Sequence, residues 1–325
     1  MTIKNTNLTV IMDKKRKASC VQLPATLLQA CDYDLEQLHQ RVGIDRTAGT
    51  YSRQCRLRDM VAGYINGALS TEDIPLHELT LSFITDYASY LSAHCKLLDG
   101  TVWLACQWLK GVVKRAYQRG WMQCNPFAEF HAPRNIRPRE YLSEEELHRM
   151  MNCKLSDSRQ AFFRDIFIFS ALTGLAFADI NDLCRRDIRM INGQPWILSL
   201  RHKTHTVYQV RVLPKAAEII RRYDNGGERI FGPIAYRTLA IHIPLIAHQC
   251  GITRRITFHC ARHSFAIMCL DAGLPIESIS RMMGHTNITT TQIYARITLG
   301  KLNKDMDNLQ TFLSQFIKNI KKVYS

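Results

Sequence analysis

Apolar residues recur through most of this chain at the three- and four-residue spacing of helices that bury one face. The clearest stretch, Thr101 to Tyr117, carries Val102, Leu104, Ala105, Trp108, Leu109, Val112, Val113 and Ala116 close to a single stripe. Leu79 to Leu91 repeats the pattern with Leu81, Ile84, Tyr87, Ala88 and Leu91, and the whole of Leu23 to Glu129 reads as helical. Trp103 and Trp108 are read as helix core residues rather than base-stacking platforms. Alternation at period two is confined to a later region. Trp196 to Leu200 and Val207 to Leu213 are β-rich, and in the second run Tyr208, Val210 and Val212 alternate with Gln209 and Arg211. Lys203-Thr204 lies between them, so the pair predicts a hairpin. A last stripe of Leu302, Met306, Leu309, Leu313, Phe316, Ile317 and Ile320 predicts a helix that serves either its own core or a neighbouring subunit. The expected fold is mainly α with a small antiparallel β-hairpin or sheet, in the α+β class.

Breaks in this pattern divide the chain. Residues 1–22 are a polar tail containing Lys14-Lys15-Arg16-Lys17, residues 23–131 a helical domain, and residues 141–325 a second domain. Between them, at 132–140, prolines block helix continuation and Arg134, Arg137 and Arg139 suit a strap lying across phosphates. Ser143 with Glu146 forms a capping box that opens a helix through Met151. Arg53, Arg56 and Arg58 would line one short helical stretch as contacts to a DNA backbone.

Charge changes the picture. The 325 residues carry a formal net charge of +15, with a surplus of 12 basic residues in 132–325 and of 3 in 1–131. That bias favours a polyanion. No long amphipathic helix with a Lys/Arg-dense face marks a membrane surface as that partner, so nucleic acid is expected. The longest apolar-rich run without charge, Ile166 to Ala178, is too short to span a bilayer, and the N-terminus lacks a signal-peptide core. Eleven cysteines without a Cys-x-x-Cys pair read as reduced thiols, which implies a cytoplasmic protein.

The chemistry concentrates near the C-terminus. Phe258-His259-Cys260-Ala261-Arg262-His263 is followed by Met283-Gly284-His285, and Tyr294 comes nine residues after His285. Arg262 offers a planar fork for phosphate oxygens. His259 shares its helix face, Thr257 is a candidate N-cap, and Gly284 a candidate C-cap before His285. A tyrosine hydroxyl with an ordinary pKa near ~10 needs a base or a cationic field to act as a nucleophile near neutrality. These residues fill the required roles without a metal or any other cofactor.

This ordered set resembles the tyrosine recombinases, the family of phage integrases and Xer-type resolving enzymes. The stretch Thr289-Thr290-Thr291-Gln292-Ile293-Tyr294 resembles the family's Thr-Thr-x-x-Tyr signature, and Lys203 in Arg201-His202-Lys203-Thr204 resembles its hairpin lysine. The resemblance implies a two-domain clamp on double-stranded DNA with a helical core-binding, SAM-like domain and a catalytic domain. It implies that Tyr294 forms a 3′-phosphotyrosyl bond, that Arg262, His259 and His285 serve the phosphate, and that Lys203 protonates the 5′-oxygen. Strand exchange would pass through a Holliday junction in a tetramer assembled on DNA, with accessory DNA-bending proteins possible and a mobile element among the candidate substrates.

One position departs. In Leu172-Thr173-Gly174-Leu175-Ala176-Phe177-Ala178-Asp179, alanine stands where the family's first arginine is expected, although Asp179 matches the acidic residue that follows. The substitution admits a rival, a DNA-binding protein of the same fold that is impaired in cleavage. It also predicts a recruited arginine, with Arg164, Arg185, Arg186 and Arg201 as candidates and Arg164 first among them. A zinc hydrolase built on His259-x-x-x-His263 is disfavoured, since Cys260 replaces the needed glutamate and Arg262 would repel a cation. A type IB topoisomerase shares the tyrosine chemistry but fits the flanking stretches less well.

Overall fold

The computed structural model describes residues 23–132, 140–294 and 305–314. The basic tail, most of the expected strap (133–139), and Leu302, Phe316, Ile317 and Ile320 of the last stripe lie outside these residues. The chain divides into two compact units, Met1–Arg137 and Pro138–Ser325. No helix among the described residues is long and apolar enough to cross a membrane.

The first unit holds α1 (Leu27–His39), α2 (Ala48–Ala68), α3 (Leu81–Ser89) with a π-turn at Tyr90–His94, and α4 (Asp99–Gln118). The stripe of α4 is buried at Val102, Ala105, Leu109, Val112, Val113 and Ala116, against Leu27, Leu57, Val61, Ile84 and Tyr87. Leu104 and Trp108 pack at the margin of this core, and the Trp108 indole donates to Gln54 at 3.3 Å. Asp34, nearly buried on α1, accepts from Arg115 of α4 and from Arg119 at the C-cap of that helix, at 2.7 and 2.8 Å. Arg53 and Arg56 are exposed on α2, but Arg58 is not a third exposed contact: it pairs with Asp32 at 2.8 and 3.0 Å.

The second unit opens with α5 (Glu144–Asn152), whose capping box is closed in both directions. Ser143 Oγ accepts from the Glu146 amide at 3.2 Å, and the Glu146 carboxylate accepts from the Ser143 amide at 2.9 Å. Next come α6 (Ser158–Thr173) and the short α7 (Phe177–Asn181). A sheet follows, of β1 (Ile188–Ile191), β2 (Gln194–Leu200) and β3 (Val207–Arg211), antiparallel in the order β1-β2-β3. Helices α8 (Pro214–Tyr223), α9 (Tyr236–Gln249), α10 (Phe258–Asp271), α11 (Ile276–Met283) and α12 (Thr289–Gln292) complete the unit. A further helical segment occupies 305–314.

The hairpin pairs in register from Trp196 with Arg211 to Leu200 with Val207, and Tyr208 and Val210 point inward. The extra strand β1 joins β2 through Asn192-Gly193, with φ of 49° and 71°. Positive φ at both turn residues suits a two-residue hairpin turn, and Asn-Gly is its strongest short signal. The core centres on α6, which buries Phe163, Ile166, Phe167 and Phe169 and packs against α5, α8, α9 and α10.

The end of α6 leaves little freedom. Gly174 caps it with φ 72°, and a Cβ built there would lie 2.5 Å from Phe265 Cδ1 of α10. Ser170 Oγ donates to Leu175 O and Thr173 Oγ1 to Phe169 O, each at 2.7 Å. Gly174→Ala therefore combines left-handed strain with overpacking and is expected to cost about 2–5 kcal/mol. Gly193 has similar φ (71°) but open space around it, so Gly193→Ala is expected to cost only about 1–2 kcal/mol. Urea midpoints of the two variants check this; equal losses would show that the Phe265 contact does not govern the turn.

Candidate active site around a buried arginine

The motif of α10 places two successive residues in different surroundings. Arg262 is buried, and its guanidinium gathers three segments. One amino group donates to Gly174 O at the end of α6, and the other donates to Met283 O at 2.7 Å and to His285 Nε2 at 2.9 Å. Burial, and next the nearby charge of Arg201, push the Arg262 guanidinium down to about 9. It stays protonated at neutral pH.

An arginine nitrogen only donates, so His285 Nε2 accepts and the ring proton sits on Nδ1. Nδ1 then donates to Thr291 Oγ1 at 2.7 Å. Thr291 is fully buried on α12, and Gly284, the left-handed C-cap of α11 at φ 63°, turns the chain into His285. The His285 ring is thus neutral and held from both sides.

His263, also buried, faces the tyrosine: its Nδ1 lies 2.6 Å from the Tyr294 hydroxyl, and Tyr294 is itself buried. His259 is exposed in the first turn of α10, with its ring edge-on to that of His263 at 4.4 Å between centroids. Thr257 occupies the N-cap position, where its hydroxyl lies 3.4 Å from Cys260 Sγ. Lys203 is exposed in the turn between β2 and β3 and makes no hydrogen bond or ion pair with this cluster.

Tertiary structure therefore brings Arg262, His285 and Tyr294 together with His263 and Thr291. Neither of the last two was singled out from sequence as part of the site. His263 stands in the motif as half of a His-x-x-x-His pair, where nothing in its spacing reveals a tyrosine 31 residues away. Thr291 is one of three adjacent threonines, and only the fold selects which one meets His285.

The candidate arginines separate clearly. Arg164 is directed to Asp165 at 2.8 Å and to Cys153 O, within a network that includes Arg222 and Tyr223. Arg185 pairs with Asp224 and Gly226 O, and Arg186 with Glu228 at 3.0 Å. The bend after α6 does not return Arg164 to position 176, because Arg164 lies in the middle of that helix and is held there by Asp165 and Cys153 O. Among the described residues, no group of three or more His, Cys, Asp or Glu is disposed to hold a metal ion.

Comparison with known proteins agrees with this arrangement. Residues 140–299 match the phage integrase family, and residues 26–132 match the phage integrase SAM-like domain. The chain is 23% identical over 251 residues to a tyrosine recombinase XerC of Halalkalibacterium halodurans, covering 70% of this chain and 77% of that protein. A Myxococcus xanthus tyrosine recombinase XerC is 29% identical over 150 residues, which span 40% of this chain and about half (49%) of the relative. The fold is similar to a Tn1549 transposon integrase in complex with a circular intermediate DNA, at TM-score 0.71, 18% identity, 88% of this chain and 100% of that one. It is also similar to a lambda integrase tetramer bound to a Holliday junction, at TM-score 0.64, 16% identity, 86% of this chain and 84% of that one. With family models spanning both units and the tyrosine, histidine and arginine of the motif clustered in the second, the chain belongs to the phage integrase family as a DNA-binding, tyrosine-type site-specific recombinase.

Proposed function

We propose that this recombinase cleaves DNA through Tyr294, and the observation that carries the reading is the 2.6 Å contact between the Tyr294 hydroxyl and His263, next to the buried Arg262. Tyr294 Oη attacks the scissile phosphorus, the new O–P bond forms, and the bond to the 5′-oxygen breaks. The tyrosine proton leaves along its hydrogen bond to His263 Nδ1, and Lys203 supplies the proton taken up by the 5′-oxygen. Arg262 holds the phosphoryl oxygens, His285 positions its guanidinium by accepting from it at Nε2, and His259 stands beside them at the helix start. Charge grows on those oxygens in the transition state, so donors already fixed in a water-poor site contribute most.

The bond energy is kept in the phosphotyrosyl ester. A 5′-hydroxyl from the partner strand reverses the linkage, and strand exchange passes through a Holliday junction without a nucleotide cofactor. The lambda integrase neighbour is a tetramer on such a junction, and assembly of four subunits is the corresponding reading here. Met306, Leu309 and Leu313 on the 305–314 helix are 57, 46 and 45% exposed, which supports a face that docks on a neighbouring subunit. Inversion, integration and dimer resolution all fit this chemistry.

Ala176 supports a second reading, a protein of this fold that binds DNA without cutting it. A suicide duplex separates the two. Incubated with a nicked half-site selected from random DNA by binding to this protein, the parent is expected to form a denaturation-resistant adduct that Tyr294→Phe does not form. The adduct is expected to persist in EDTA. Binding without an adduct in the parent would favour the second reading, and an adduct in Tyr294→Phe would show another nucleophile.

Truncation after Gly300 is expected to leave half-site binding and adduct formation in place while abolishing higher-order complexes and strand exchange, read by gel shift and by junction accumulation. A truncated chain that no longer folds would assign the helix to its own domain instead.

A further inference from the structure

The site lacks the family's first arginine, yet a second guanidinium stands beside Arg262. Arg201 is the first residue beyond β2, and its backbone is held on both sides: its amide donates to Thr206 O at 2.9 Å, and its carbonyl accepts from the His205 amide at 2.9 Å. The next amide, that of His202, donates to Asp179 Oδ1 at 2.9 Å. Arg201 Nη1 lies 2.6 Å from Asp179 Oδ2, and that same carboxylate oxygen accepts from the Ala176 amide at 3.4 Å. One buried carboxylate thus ties the tip of the hairpin to the backbone of the residue that would otherwise carry the arginine.

The other side of Arg201 is equally constrained. A Cβ built on Gly284 would lie 2.7 Å from Arg201 Cγ and 2.9 Å from Cδ, so the stem rests directly on the glycine that precedes His285. This places the side chain between the Ala176–Asp179 turn and the Gly284-His285 turn, the two flanks of Arg262. Only 15% of the side chain is exposed, and Nε has no hydrogen-bond acceptor among the described residues. Arg201 is the largest charged influence on Arg262 and opposes its positive charge. Asp179 pairs with Arg201 and acts on Arg262 only through its charge, an arrangement that leaves positive charge and donors unsatisfied in a low-dielectric site. A phosphate supplies both missing elements, a negative charge and acceptor oxygens.

We propose that Arg201 is a catalytic residue that replaces the missing arginine at position 176, reaching the scissile phosphate from the β2–β3 turn instead of from the end of α6. Asp179 and Gly284 act as positioning residues for it. The inference rests on the proposed phosphotyrosyl chemistry. It differs from that chemistry in asking where the second phosphate-binding cation comes from.

The test measures adduct formation on the selected suicide half-site with the full chain, comparing the parent, Arg201→Ala and Arg201→Lys. Losing a donor fixed on transition-state charge typically costs ~10²–10³ in rate. Arg201→Ala is expected to lose that much while half-site binding stays close to the parent's. Arg201→Lys keeps a cation beside Asp179 and a stem over Gly284 without the planar fork, so it is expected to fold and bind and still to cleave slowly. A second substrate, with a neutral methylphosphonate at the scissile position, has no phosphate charge to neutralise. On it the deficit of both variants is expected to shrink sharply, a change that a merely structural role would not produce.

Parent-like cleavage by Arg201→Ala overturns the proposal, as does an equal deficit on the charged and neutral substrates. A parent that binds without cleaving overturns the catalytic reading and the role of Arg201 with it. Cleavage by Tyr294→Phe removes the tyrosine assignment alone, since the Arg201 comparison is still read on whichever residue forms the adduct.

Discussion

The second unit is organised by one buried cation. Arg262 is 3% exposed and bonds to carbonyls that end two different helices, Gly174 O after α6 and Met283 O at the end of α11. Carbonyls at a helix C-terminus have no intrahelical partner and carry the negative end of the helix dipole. They are therefore suitable acceptors for a guanidinium that must leave water. An unpaired charge in such a place would be prohibitively costly. The same bonds fix where α6, α10 and α11 meet, and so where a phosphate would encounter the arginine.

Several local features make sense only around that contact. Gly174 lets Phe265 of α10 approach within a distance that no Cβ permits, and this close approach brings Arg262 to the carbonyl. Gly284 reverses the chain so that His285 faces Arg262 while Thr291 holds its other nitrogen. Tyr294 follows three residues later, buried against the residue next to Arg262. Charge, helix ends and nucleophile are parts of one packing arrangement, and a shift in any one element moves the others.

Arg262 and Arg201, with Asp179 paired to Arg201 alone, leave the site electropositive. In the proposed cleavage, such a preorganised field would favour phosphate over water, and the charge-rich transition state more strongly than the ground state. The exposed apolar residues of the 305–314 helix are of a different kind.

Much of this was legible along the chain. The period of α4, the Ser143–Glu146 capping box, the Tyr208–Val210 alternation and the order of His259, Arg262, His285 and Tyr294 are local patterns, set by spacing and backbone chemistry alone. The strand β1 was local too, announced by Asn192-Gly193, and was missed because its own residues do not alternate clearly between buried and exposed. Only the tertiary structure decided the rest. Which histidine meets Tyr294, which threonine fixes His285 and which arginine stands beside Arg262 depend on contacts between residues 6 to 88 positions apart. Sequence spacing carries no information about such distances once the chain has turned. Arg164 and Arg201 look alike as letters on either side of Ala176. They differ because Asp165 holds one at the middle of α6, while Asp179 and Gly284 hold the other against the site.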